Sequence, residues 1–222
     1  MKKALLFYGG WEGHDPERVS GRLEKILQKQ GFATERHAGV DSLADPEYLK
    51  SFDLIVPCVT MGGLPEGYSE NVCGAVASGT GLAGCHGGMC DAFRANVDWQ
   101  YMTGGQWVAH PGDEGAEYTV RFRHGLSPIT EGLADFKVCS EQYYLLVDPA
   151  VEVLADTVVM KEEGPALQKA VTMPVVWTKN WGRGRVFYCS LGHNDAFFDR
   201  YPTAQILMER GMLWAAEGKA RP

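Results

Sequence analysis

ALLFYGG, residues Ala4–Gly10, is an unbroken apolar run closed by two glycines. A strand with one wet face alternates polar and apolar residues; a run without alternation reads as a strand covered on both faces, as in a parallel sheet between helices. After the loop Trp11–Asp15, Pro16 stands where a first helical turn tolerates its missing N–H, and Val19, Leu23, Ile26 and Leu27 recur at helical spacing up to Gly31. Strand, loop and helix make the first half of a βαβ unit.

The pattern continues through Phe32–His37, Leu54–Pro57, a helix-like stretch over Tyr68–Ser78 and a further strand at Gly81–Cys85. This predicts a doubly wound, mostly parallel α/β sheet. From Tyr118 to Asp156 the reading changes: Tyr118–Arg123 alternates, Phe136–Cys139 and Val151–Leu154 are short, and no long helix separates them. These predict extra strands, some antiparallel, added to the sheet. Pro174–Trp177 and Arg185–Cys189, joined by Asn180–Gly184, form a hairpin pattern. A final helix carries Ala204, Ile206, Leu207, Met212, Leu213 and Trp214, all expected in the core. One domain over 1–222 accounts for the chain.

A formal net charge of -7, with scattered lysines and arginines, argues against nucleic acid and for a small-molecule partner; a homo-oligomer stays open. No apolar run reaches the about 18 residues of a membrane span, and no signal-peptide pattern follows Lys2-Lys3, so a cytoplasmic protein is expected. The six cysteines lack zinc-ribbon spacing and read as reduced, buried thiols. Glu12 and Asp15 in the first glycine-rich loop would repel a phosphate, which disfavours nucleotides and flavins.

Ligands of open α/β sheets bind at the carboxyl ends of the strands. That rule selects Gly9–His14, Thr60–Gly63, Cys85–Gly88 and Leu191–Asp195, and three histidines, His14, His86 and His193, fall there. In Gly84-Cys85-His86-Gly87-Gly88 the small neighbours suit a strained strand-to-helix elbow, whose exposed central position is His86. Cys85, one residue earlier, turns into packing by strand alternation.

Five segments carry a family resemblance: Tyr8-Gly9-Gly10-Trp11 with Gly13-His14; Gly84–Gly88; Gly104-Gly105-Gln106-Trp107 with His110-Pro111; Ser140-Glu141-Gln142-Tyr143; and Gly182–Tyr188 through Leu191-Gly192-His193. In their order the chain resembles the trehalose-utilisation ThuA-like family, whose fold is similar to class I glutamine amidotransferases and flavodoxin-like proteins. The resemblance implies carbohydrate metabolism. It does not extend to glutamine hydrolysis, because the amidotransferase elbow carries a cysteine where this chain has His86, and the later His-x-Glu pair becomes His193-Asn194-Asp195.

The expected function is acid/base catalysis on a sugar or sugar derivative by a hydrolase, lyase or isomerase; the alternative is a sugar-binding protein without turnover. His86, Glu141, His193 and His14 are the candidates for proton transfer. Glu141, between a strand end and the pair Tyr143-Tyr144, is expected to be desolvated with a raised pKa. Trp11, Gly87, Trp107, His110, Tyr143 and Asp195 are candidate substrate contacts, and Trp11, Trp107, Trp181 and Tyr143, which lie in or beside loops rather than in apolar runs, are read as aromatics on which a sugar ring stacks. No cofactor is demanded by the sequence, but His14, His86 and His193 could assemble a site for zinc or another divalent ion.

Overall fold

Leu5 and Phe7 face one side of strand β1 (Lys3–Gly10), Ala4 and Leu6 the other, and all four are fully buried. The computed structural model, which describes residues 1–160 and 169–220, explains this with helices on both faces of the sheet. Val19, Leu23, Ile26 and Leu27 of helix Pro16–Lys29 pack with Ala204, Leu207, Met208 and Met212 of helix Pro202–Ala216 against the first face. Helices Tyr68–Ala77 and Val97–Thr103 cover the second with Val72, Ala75, Val76, Trp99 and Met102. Each leucine so buried stabilises the fold by roughly 1.5–3 kcal/mol relative to exposure.

Strands are numbered in chain order. β1 lies between β2 (Ala33–Ala38) and β3 (Leu54–Thr60); β4 (Gly81–Cys85) pairs with β3, and β11 (Gly184–Cys189) with β4, all parallel. The sheet continues antiparallel through β10 (Val171–Trp181), β9 (Glu152–Val159), β6 (Glu117–Phe122) and β7 (Phe136–Cys139). The order β2-β1-β3-β4-β11-β10-β9-β6-β7 thus joins a flavodoxin-like parallel half to an antiparallel extension. Because β2 and β3 flank β1 on opposite sides, the chain reverses its winding there, at the carboxyl ends of β1 and β3, the place where open α/β sheets take their ligands.

Three expectations are corrected. Trp181, the last residue of β10, stands beside a turn as expected, but Trp107 lies inside β5 (Gly105–Ala109), which forms a separate two-stranded sheet with β8 (Tyr144–Val147). These strands are four and five residues long, too short for their own period to show. Ile206 is 37% exposed: helix Pro202–Ala216 turns about 100° per residue, which carries 206 off the stripe of 204, 207, 208 and 211. The strand read at Val151–Leu154 extends as β9 to Val159.

Candidate functional site

The site starts at the end of β1. Gly10 has φ +79°, and a Cβ there would lie 2.0 Å from the Thr60 carbonyl oxygen, so only glycine lets this turn close onto β3. The Trp11 N–H donates to that carbonyl (3.1 Å), and a short 3-10 turn, Glu12–His14, then directs His14 inward. His14 is buried, with Nδ1 2.8 Å from Thr60 Oγ1. Gly87 leaves the space for this pair: a Cβ on it would stand 2.6 Å from His14 Nδ1 and 2.7 Å from Thr60 Oγ1.

His86 follows β4 at φ +48°, ψ -138°, the strained elbow expected from its glycine neighbours. Its N–H donates to the Cys189 carbonyl (2.7 Å) and its carbonyl accepts from Tyr188 Oη (3.0 Å). The ring Nδ1 lies 2.8 Å from the Ser190 carbonyl oxygen. A carbonyl only accepts, so Nδ1 carries the proton and Nε2 points the other way, 3.1 Å from Glu141 Oε2. Tyr143 is stacked on the His86 ring at 4.0 Å between centroids; one of its faces is therefore taken by the histidine rather than offered to a sugar. Cys85 is buried, and burial, then the neighbouring Cys58 and Cys189, push its thiol well above the usual range.

Glu141 comes from the buried irregular segment between β7 and β8. Ser140 N–H donates to the Ala116 carbonyl (3.0 Å), Tyr118 Oη to the Glu141 carbonyl (3.1 Å), and Gln142 Nε2 to Thr157 Oγ1 (3.0 Å), which fix the segment. Around Glu141 Oε2 stand His86 Nε2 at 3.1 Å, His193 Nδ1 at 3.6 Å and His14 Nε2 at 3.7 Å. His193 is placed by Asn194, which caps helix Asp195–Arg200 by accepting from the Phe197 N–H (3.0 Å). Its Nε2 faces Glu114 Oε1 at 3.3 Å. His110 approaches from the rim: Nδ1 is 3.1 Å from Asp113 Oδ1, and Nε2 4.0 Å from Glu141 Oε1.

The electrostatics correct one expectation. Burial alone would raise the Glu141 carboxyl, but contacts with His14, His193 and His86 outweigh it and hold the group well below the usual carboxylate range. Glu141 is an ionised acceptor. Burial also lowers His86, to about 4, against the opposing pull of Glu141. At His193 burial works in the same downward direction, yet the contact with Glu141 prevails and the pKa is raised.

Asp195 is the second correction. Its carboxylate binds Arg22 (Nε–Oδ1 2.5 Å, Nη2–Oδ2 3.1 Å), and the acid facing His193 in its stead is Glu141, with Glu114 behind. Helix start after Asn194 places residue 195 against Arg22 of helix Pro16–Lys29. Thr60, selected in the sequence only as the start of a strand-end loop, and Glu114, not selected there, are the outer partners of His14 and His193. Thr60 was visible as a polar residue ending a buried strand; Glu114 looked like any acid in a surface turn. Trp11 is 46% exposed with its ring edge-on to His14 (4.7 Å), and half-buried Trp107 lies 5.4 Å from the His110 ring, with the Arg94 guanidinium 4.4 Å over it. A nearby groove of 640 Å³, lined by Pro111, Tyr118, Arg121, Gln142 and Thr157, contains none of the converging side chains.

One ring nitrogen from each of His14, His86 and His193 and one oxygen of Glu141 lie within 4.8 Å of one another, a buried set that could hold a metal ion. The arrangement can also accept and relay protons. A flavodoxin-like sheet with a histidine and carboxylate centre at its winding reversal is the class of protein defined so far. The chain belongs to the ThuA family, described as trehalose utilisation, whose model matches residues 3–215. Solved structures agree in fold. A protein described as ThuA-like from Bacteroides uniformis is 20% identical (TM-score 0.74; 96% of this chain, 91% of that one), as is one from Parabacteroides merdae (0.74; 98% and 91%). A β-galactosidase from Bacillus circulans sp. alkalophilus aligns at 14% identity and TM-score 0.62, over 99% of this chain and 31% of the larger enzyme. No curated protein matches the sequence. Among the described residues no helix is long and apolar enough to cross a membrane.

Proposed function

We propose that the chain is an enzyme of carbohydrate metabolism that transfers protons at a hydroxyl- or carbonyl-bearing carbon of a sugar or sugar derivative, as a hydrolase, lyase or isomerase. The observation that carries this is the convergence of three buried histidines on one buried carboxylate at the crest of the parallel strands. A protein that only grips a neutral sugar needs hydrogen-bonding groups at its rim, whereas desolvating a carboxylate costs several kcal/mol and is retained where its charge does chemistry. Glu141 accepts, the imidazoles carry protons, and His110 exchanges with solvent from the rim. Trp11 and Trp107 supply aromatic surface for the sugar.

The carbohydrate direction comes from the family's description and from the aligned portion of the β-galactosidase. A cytosolic setting suits six free cysteines, and a charge of -7 suits a neutral small ligand rather than nucleic acid. The test is proton NMR of the protein with a panel of neutral disaccharides, aldoses, ketoses and sugar acids. Consumption of at least one compound is expected, slowed about 100-fold or more by Glu141→Gln. A compound that binds both proteins tightly and is consumed by neither makes the chain a sugar-binding protein instead.

A further inference from the structure

We infer that the cluster is a divalent metal centre, taking one ion of the zinc class through His14 Nε2, His86 Nε2, His193 Nδ1 and a carboxylate oxygen of Glu141. The inference rests on reading this cluster as the reaction centre and changes its division of labour: with an ion bound, the four groups are its ligands, and His110 at the rim is left to carry the proton. Its first support is a mismatch of donors and acceptors. His86 Nδ1 donates to the Ser190 carbonyl, so the neutral ring presents the Nε2 lone pair to Glu141 Oε2 at 3.1 Å. Two acceptors face each other at contact distance and require a positive centre between them.

The second support is that the other two rings repeat the arrangement. His14 Nε2 and His193 Nδ1 are buried without a hydrogen-bond partner, and their nearest carboxylate oxygen, at 3.7 and 3.6 Å, is beyond hydrogen-bonding reach. One proton serves one such nitrogen; a single cation serves all three and the carboxylate together. Each far nitrogen is also engaged: His14 Nδ1 by Thr60 Oγ1, His86 Nδ1 by the Ser190 carbonyl, His193 Nε2 by Glu114 Oε1. The Ser190 carbonyl fixes the tautomer of His86 that leaves its inner nitrogen free to ligate, while the Thr60 hydroxyl, able to accept or donate, and the Glu114 carboxylate are compatible with the same tautomer at His14 and His193.

The distances suit the ion. With metal–ligand bonds of about 2.0–2.2 Å, the ligand atoms of a tetrahedral shell stand about 3.4 Å apart, close to the 3.1, 3.6 and 3.7 Å measured to Glu141 Oε2. Three imidazoles and one carboxylate favour zinc or a neighbouring transition ion over magnesium or calcium, which prefer oxygen. His110 stays outside the shell, with Nδ1 on Asp113 and Nε2 nearer the other carboxylate oxygen, Oε1. With four protein ligands in place, such an ion would polarise a sugar hydroxyl or carbonyl oxygen by taking it as a fifth ligand.

The test uses the full chain without an affinity tag, stripped with a chelator and titrated with Zn²⁺ alone by calorimetry and Co²⁺ alone by visible absorption, no sugar being present. One ion per chain is expected, with the strong cobalt bands of a low-coordinate site. His193→Ala and Glu141→Gln, shown folded by circular dichroism, should lose stoichiometric binding. Thr60→Val, which removes only the partner of His14, should weaken it about 10–100-fold. A wild-type chain that takes up neither ion, or binding unchanged in both His193→Ala and Glu141→Gln, overturns the metal centre. Absence of sugar turnover in the metal-loaded protein would count against the enzyme reading and leave the titration standing.

Discussion

At φ +48° His86 occupies backbone space that costs an ordinary side chain about 1–3 kcal/mol, and its ring is held by the Ser190 carbonyl, Glu141 and the face of Tyr143. Cys85 next door is turned to the other side and buried among apolar groups. Iodoacetamide followed by peptide mapping should therefore leave Cys85 unmodified in the native protein, while half-buried Cys73 and Cys139 react first. Rapid labelling of Cys85 would restore a thiol mechanism. Gly87 offers a second prediction at this scale. Gly87→Ala drives a methyl to 2.6 Å from His14 Nδ1, so it should cost about 1–3 kcal/mol in thermal unfolding and, by displacing His14, depress turnover. An unchanged Tm with full activity would mean that the His14–Thr60 pair is not held against β4.

Among the elements, the antiparallel half does more than widen the sheet: it delivers Glu141 to a crest whose histidines follow parallel strands. One tie holds β10 to the chain beyond β8. Lys179 is buried in β10 and its Nζ lies 2.6 Å from Asp148 Oδ2, with the Tyr101 carbonyl as a further acceptor. Lys179 and the Ala150 N–H hold the Asp148 carboxyl below its usual value. A depressed folded pKa contributes stability above the unfolded value, about 3.9, that is lost as pH falls through the folded one. Asp148→Asn should thus lower Tm at neutral pH, by leaving Lys179 buried and unpaired, and the gap from wild type should narrow below about pH 4. Parallel melting curves across that range would remove Asp148 from the acid response.

The elements legible in the sequence are those whose side chains repeat locally. The run Ala4–Tyr8, the helix from Pro16 and the strand Gly81–Cys85 each announce themselves by period or by punctuation, and each stands as read. β5 and β8 do not, because a pair of short strands is specified by its partner and by packing, not by its own period. The site was half legible for the same reason. Strand ends pointed to His14, His86 and His193, but whether Glu141 or Asp195 met them depended on where a long antiparallel excursion returned.

For the molecule as a whole, the candidate centre gathers residue 14 after β1, 86 after β4, 193 after β11 and 141 from the extension, contributions that only the finished fold unites. An ion bound there belongs to the folded state alone. At 100 times its Kd, Zn²⁺ should add about 2.7 kcal/mol, which for a chain of this size raises Tm by about 5–10 °C; no shift in a differential scan would deny the coupling. The central claim is that sugar chemistry happens at this crest. Its most direct test is a crystal structure of Glu141→Gln soaked with the sugar that the wild type consumes. The account predicts the reacting hydroxyl or carbonyl oxygen within hydrogen-bonding distance of the His14, His86 and His193 cluster, with the sugar ring against Trp11. A sugar seated instead in the groove lined by Arg121, Gln142 and Thr157, with the histidines untouched, would contradict it.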